Sequence, residues 1–143
     1  MSADTGWSFD ASDHIAALTW LPDGRTLAVA PAEGGIVLLD RGAGKVTRTL
    51  AGHAPANCAL SAAGGLLASA GQDGRVRLWR TDTGEIAHEL RASDTAADWC
   101  EHAQFSAGGN LLATTAGRTL RIWTRSGECV FENTAHDSTI AAL

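Results

Sequence analysis

The chain has 143 residues, 45% of them apolar and 19% charged, with a net charge of −5 and a pI of about 5.4. That length suits one globular domain, and the apolar fraction excludes a disordered chain. The acidic balance argues against nucleic acid or an anionic membrane surface as the main partner, and no apolar run is long enough to span a bilayer.

The start, Met1-Ser2-Ala3-Asp4, lacks a basic stretch leading into an apolar one, so no secretory signal is expected. Sixteen Gly against three Pro predict many tight turns. Cys58, Cys100 and Cys129 form an odd set without CxxC spacing. They point away from a disulfide framework or a zinc site and towards a reducing, cytoplasmic setting.

In chain order, the first element is Trp7-Ser8-Phe9-Asp10, where apolar and polar residues alternate as in a strand. Next come short apolar runs at 15–21, 26–30, 36–40 and 45–50. The pattern returns at 57–61, 66–70, 76–80 and 85–90, where Asp73-Gly74 between two apolar runs marks a hairpin. It returns again at 101–106, 111–115, 120–124 and 129–133. Leu39, Trp79 and Trp123 fall in one column, and Gly44, Gly84 and Gly127 in another. Ala30 and Leu39 of the first repeat are read as the counterparts of Ser69 and Trp79 in the second. Finally, Ile15-Ala16-Ala17-Leu18 recurs as Ile140-Ala141-Ala142-Leu143, three periods later. No segment shows a sustained helical period, so the chain is expected to be all-β, in three repeats of four short strands.

Four strands per repeat, with Gly52-His53 near the start and Trp79 near the end, resembles the WD-repeat β-propeller family. The resemblance implies four-stranded antiparallel blades at 11–50, 51–90 and 91–134. It makes residues 1–10 the ring-closing outer strand of a preceding blade and 135–143 the start of a fourth, so the propeller in this chain is incomplete. It also implies a hydrogen-bonded chain through Trp79, Ser69, His53 and Asp73. Repeat three keeps Thr114 and Trp123 but lacks the turn Asp. Two open blade faces of about 300 Å² each would leave apolar sheet uncovered. Complementary blades or self-association are expected to close the ring.

His53, Asp73 and Ser69 read as structural, since no nucleophile elbow or paired base surrounds them. The segment from Leu90 to Phe105 is five residues longer than its counterpart from Leu50 to Leu60. This insertion places Asp98, Trp99, Glu101 and His102 in a loop on the face that commonly binds partners in the family. These four are the candidate partner-binding residues, with Trp99 the anchor type enriched at hot spots. Cys100, Glu101 and His102 are adjacent and would alternate faces, so they do not make a metal site. The arginines at 75, 77, 80, 118, 121 and 125 read as solvated strand positions with acidic partners. The resulting expectation is a non-catalytic scaffold that binds other proteins, without cofactor or metal, nucleic acid or membrane. The alternative is an enzyme or ligand-binding propeller with its site in the central channel or in blades outside this chain.

Overall fold

A computed structural model describes residues 6–11, 13–95 and 98–134. Among these residues the fold is twelve strands and no helix. Sheet one comprises β1 (Ile15–Trp20), β2 (Thr26–Pro31), β3 (Ile36–Asp40) and β4 (Val46–Leu50). Sheet two comprises β5 (Asn57–Ala63), β6 (Leu66–Gly71), β7 (Arg75–Arg80) and β8 (Ile86–Arg91). Sheet three comprises β9 (Cys100–Phe105), β10 (Leu111–Ala116), β11 (Thr119–Thr124) and β12 (Cys129–Asn133). Each sheet is an up-and-down meander in which every strand pairs antiparallel with its neighbour in sequence. Short connections allow no other pairing. Gly74 closes the β6–β7 hairpin at φ +73°, a conformation that costs glycine nothing.

The sheets fan around β5, which lies against β1 on one side and β9 on the other. The first strand of each sheet is therefore innermost and the fourth outermost. Each first strand carries one extra residue near its start: Ala16, Cys58 and Glu101 are the bulged positions.

Alternation along the strands builds two cores. Leu21, Ala28, Ile36, Leu38 and Leu50 of sheet one meet Leu67 and Trp79 of sheet two. On the other face of sheet two, Leu66, Ala68, Val76, Leu78 and Leu90 meet Phe105, Leu112 and Trp123 of sheet three. Sheet two is covered on both faces, so β6 is buried from end to end. We call the face towards the preceding sheet the front and the other the back.

Two assignments from the sequence are corrected. Val29, not Ala30, stands at the place of Ser69, since Val29 pairs with Val37 as Ser69 pairs with Arg77. The one-residue offset reverses the side chain, and Ala30 packs towards sheet two instead. Residues 7–10 form no strand. A strand needs an edge to pair with, and no third strand stands beside them among the described residues. Trp7 nonetheless lies over a turn glycine, as side chains of the outermost strands do. A Cβ on Gly84 would strike Arg48 of sheet one, and a Cβ on Gly127 would strike His88 of sheet two. A Cβ on Gly44 would strike Trp7 in the same way. The expected fourth repeat at 135–143 lies outside the described residues.

Candidate functional site

The second repeat brings His53, Ser69, Asp73 and Trp79 into one hydrogen-bonded chain. Trp79 Nε1 donates to Ser69 Oγ at 2.9 Å. His53 Nε2 lies 2.9 Å from the same Oγ, and His53 Nδ1 lies 2.9 and 3.0 Å from the two Asp73 carboxylate oxygens. Indole can only donate and carboxylate can only accept, so the proton order follows. Ser69 donates to Nε2, and Nδ1–H donates to Asp73. Asn57 supports the histidine from below: its Oδ1 accepts from the His53 amide, and its Nδ2 donates to the carbonyls of Pro31 and Gly34. In sheet three, Trp123 Nε1 donates to Thr114 Oγ1 at 3.0 Å, and among the described residues no side chain carries the chain further. In sheet one, Leu39 and Val29 make the same positions apolar.

Arginines that read as solvated turn out to tie elements together. Arg77 Nη1 donates to the carbonyls of Ala51 and Gly52, and its Nε to Glu89. Arg121 repeats this in sheet three. It donates to the Arg91 carbonyl, to Asp94 at 2.9 Å and to Glu132 at 2.6 Å. Each arginine thus fastens the loop that enters its sheet. Arg125 joins the β5–β6 turn to the β9–β10 turn through the carbonyls of Ala63, Gly64 and Gly109. The signal was in the sequence: Arg77 and Arg121 both stand two residues before the column Trp, and each has a Glu twelve or eleven residues on.

Of the four residues expected in the inserted loop, only Asp98 and Trp99 lie before the strand, while Glu101 and His102 belong to β9. The Asp98 carboxylate turns inward: it accepts from Ser93 Oγ at 3.0 Å and sits against Gly117. Trp99 is 49% exposed. Cys100 beside it is wholly buried. Glu101 is the exposed bulge residue on the inner strand. His102 is half-buried, with Nδ1 2.8 Å from Thr115 Oγ1. Trp99 and Glu101 are the exposed members of the four, and Trp99 stands between two anchored neighbours.

Two family models match the sequence. The WD domain, G-beta repeat model covers residues 44–80, and the model for the WD40 domain of anaphase-promoting complex subunit 4 covers residues 4–61. These are WD40 repeats. No curated protein matches the sequence. Among solved structures, "Structure of U3-55K" superposes with a TM-score of 0.84 at 17% identity, covering 94% of this chain and 43% of that one. "Crystal structure of RRP9 WD40 repeats" gives 0.84 and 17%, covering 94% and 42%. The computationally designed Ika4 protein gives 0.83 and 22%, covering 99% and 86%. At these identities the likeness shows the fold alone. This chain spans less than half the length of the first two.

The WD40 blades, as the sheets now are, also set the local electrostatics. Burial pushes the His53 imidazole below its ordinary value, against the pull of the Asp73 carboxylate. It is neutral at pH 7. A groove of about 270 Å³ runs along the inner strands past Leu18, Cys58, Glu101 and His102. Burial first, then the charges of Glu101 and Asp73, push the Cys58 thiol up to about 11. Burial chiefly pushes Cys100 to about 12. Both thiols stay protonated at neutral pH.

Proposed function

We propose that this chain is part of a non-catalytic WD40 scaffold that binds a partner protein through the face carrying Trp99. Trp99 carries this reading. A half-exposed indole between the inward Asp98 and the buried Cys100 has its backbone held at both neighbours before binding, so less ordering entropy is lost on contact. Arg121 supports the geometry by holding the start of the loop through Arg91 and Asp94. Glu101 supplies a neighbouring charge. WD40 propellers generally serve as protein-interaction scaffolds, which favours the same reading. The test compares capture of partner proteins by wild type and Trp99→Ala at matched thermal midpoints. Loss of a defined set of partners at unchanged stability supports the site. Unchanged capture with a large stability loss would make Trp99 a packing residue.

The same reading includes complementary blades. The back of blade three is open: Leu111 is 40% and Phe131 47% exposed. Ser106, Leu111, Ala113 and Ile122 line an apolar groove of about 290 Å³ there. The corresponding residues of blade one cluster with Trp79, and those of blade two with Trp123. The third seat suits the same kind of side chain from a further blade.

A further inference from the structure

We infer that residues 6–11 guard the front of blade one against a second copy of this chain. They hold the outer-strand place over Gly44, which β12 of that copy would need for head-to-tail docking. The inference rests on the reading that the back of blade three accepts a blade.

Three joints in the chain share one construction. At each, a side chain from an outer strand lies over a glycine in the turn before the next blade's own outer strand. Arg48 lies over Gly84, His88 over Gly127 and Trp7 over Gly44. Two of these side chains also donate to carbonyls of that turn. Arg48 reaches Thr83 at 2.6 Å and Asp82 at 3.3 Å, and Trp7 reaches Arg41 at 2.5 Å. Trp7 precedes Arg48 by one repeat length, so residues 6–11 take the part of an outer strand without belonging to any sheet. Burial agrees. Val29 and Leu39 point to the front of blade one, where no sheet packs among the described residues, yet they are only 3% and 1% exposed.

The fourth member of the series is Phe131. It pairs with Ile122 as His88 pairs with Leu78 and Arg48 with Leu38. In a head-to-tail pair of chains, Phe131 of one copy would land on Gly44 of the other. Trp7 is already there, and two side chains do not share one seat. A blade that brings only three strands meets no such conflict, because residues 6–11 then serve as its fourth. The arrangement therefore selects a three-stranded donor and refuses blade three of another copy, which is specificity by exclusion.

The test follows association against concentration by sedimentation velocity, for wild type and for a chain lacking residues 1–11, each with and without Phe131→Glu. If the segment is seated nine-tenths of the time, the blocked joint is weakened about tenfold. The deletion should thus lower the concentration for association about tenfold, and Phe131→Glu should cancel that gain. Trp7→Ala, with folding checked by circular dichroism, replaces the deletion if the shortened chain fails to fold. A gain that survives Phe131→Glu overturns the inference. So does the absence of any gain. A fluorescently labelled 1–11 peptide distinguishes the two readings in that last case. If it binds the shortened chain, only the guard falls. If it does not, the place over Gly44 is not an outer-strand site and the ring-completing role of this segment falls as well.

Discussion

Trp79, Ser69, His53 and Asp73 give up four solvated polar groups and recover them from each other. A buried network of this kind is stabilising only while every member is satisfied. Trp79→Phe removes one donor and leaves Ser69 short, so it should cost about 1–3 kcal/mol, as should His53→Ala. Trp123→Phe should cost less, because its chain stops at Thr114. Urea midpoints at unchanged slope check the order, and equal losses would break the link between network length and stability. The neutral state of His53 adds a pH dependence. Its pKa is depressed in the folded chain, so the unfolded chain binds the proton first as pH falls. The stabilisation is complete above the unfolded value of about 6.5 and declines below it, by at most about 1.4 kcal/mol per pH unit. Urea midpoints between pH 7.5 and 5.5 should fall for wild type, with a visibly smaller slope for His53→Gln. The Glu89 carboxyl, held low by its hydrogen bond from Arg77, acts only below the usual carboxylate range near 4.3 and so does not overlap.

Among the elements, the loops entering blades two and three owe their position to Arg77 and Arg121. Arg121→Met keeps the apolar stem but loses the bonds to Arg91, Asp94 and Glu132. It should speed amide exchange at residues 92–95 and weaken partner capture through Trp99, with a small change in midpoint. Slow exchange in the variant would show that the loop is held by other contacts. Gly84 tests the joints between blades. Its φ of +77° strains any other residue, so Gly84→Ala should cost about 1–2 kcal/mol even where Arg48 is trimmed to alanine. The strands were legible in the sequence because β6 and β10 carry apolar residues on both faces, and Gly turns punctuate them. The orientation of the 98–102 stretch was not. The bulge at Glu101 resets the alternation, so counting residues could not tell that Asp98 faces Ser93 and His102 faces Thr115. Residues 7–10 read as a strand because periodicity reports the side chains and is blind to a missing edge. The slip between Val29 and Ala30 arose where the first repeat carries neither the Ser nor the Trp that fixes register in the second.

For the molecule as a whole, contacts run within a blade or to the next one. Stability in such an array is a sum of blade and joint terms, and it is greatest where a blade has two joints. Blade two is the only one with a sheet packed on both faces among the described residues. Native-state hydrogen exchange should therefore be slowest in β6 and β7 and fastest in β1 and β12. Uniform protection across the three blades would mean a single cooperative unit instead. The glycine before each outer strand carries a consequence for descent. Each blade brings its own hollow at one side and its own filling side chain at the other. A stretch of gene encoding one period can then be duplicated in tandem and the new copy fits both neighbours at once. Arginine, histidine and tryptophan trade places as the filling, because the hollow asks only that the glycine stay.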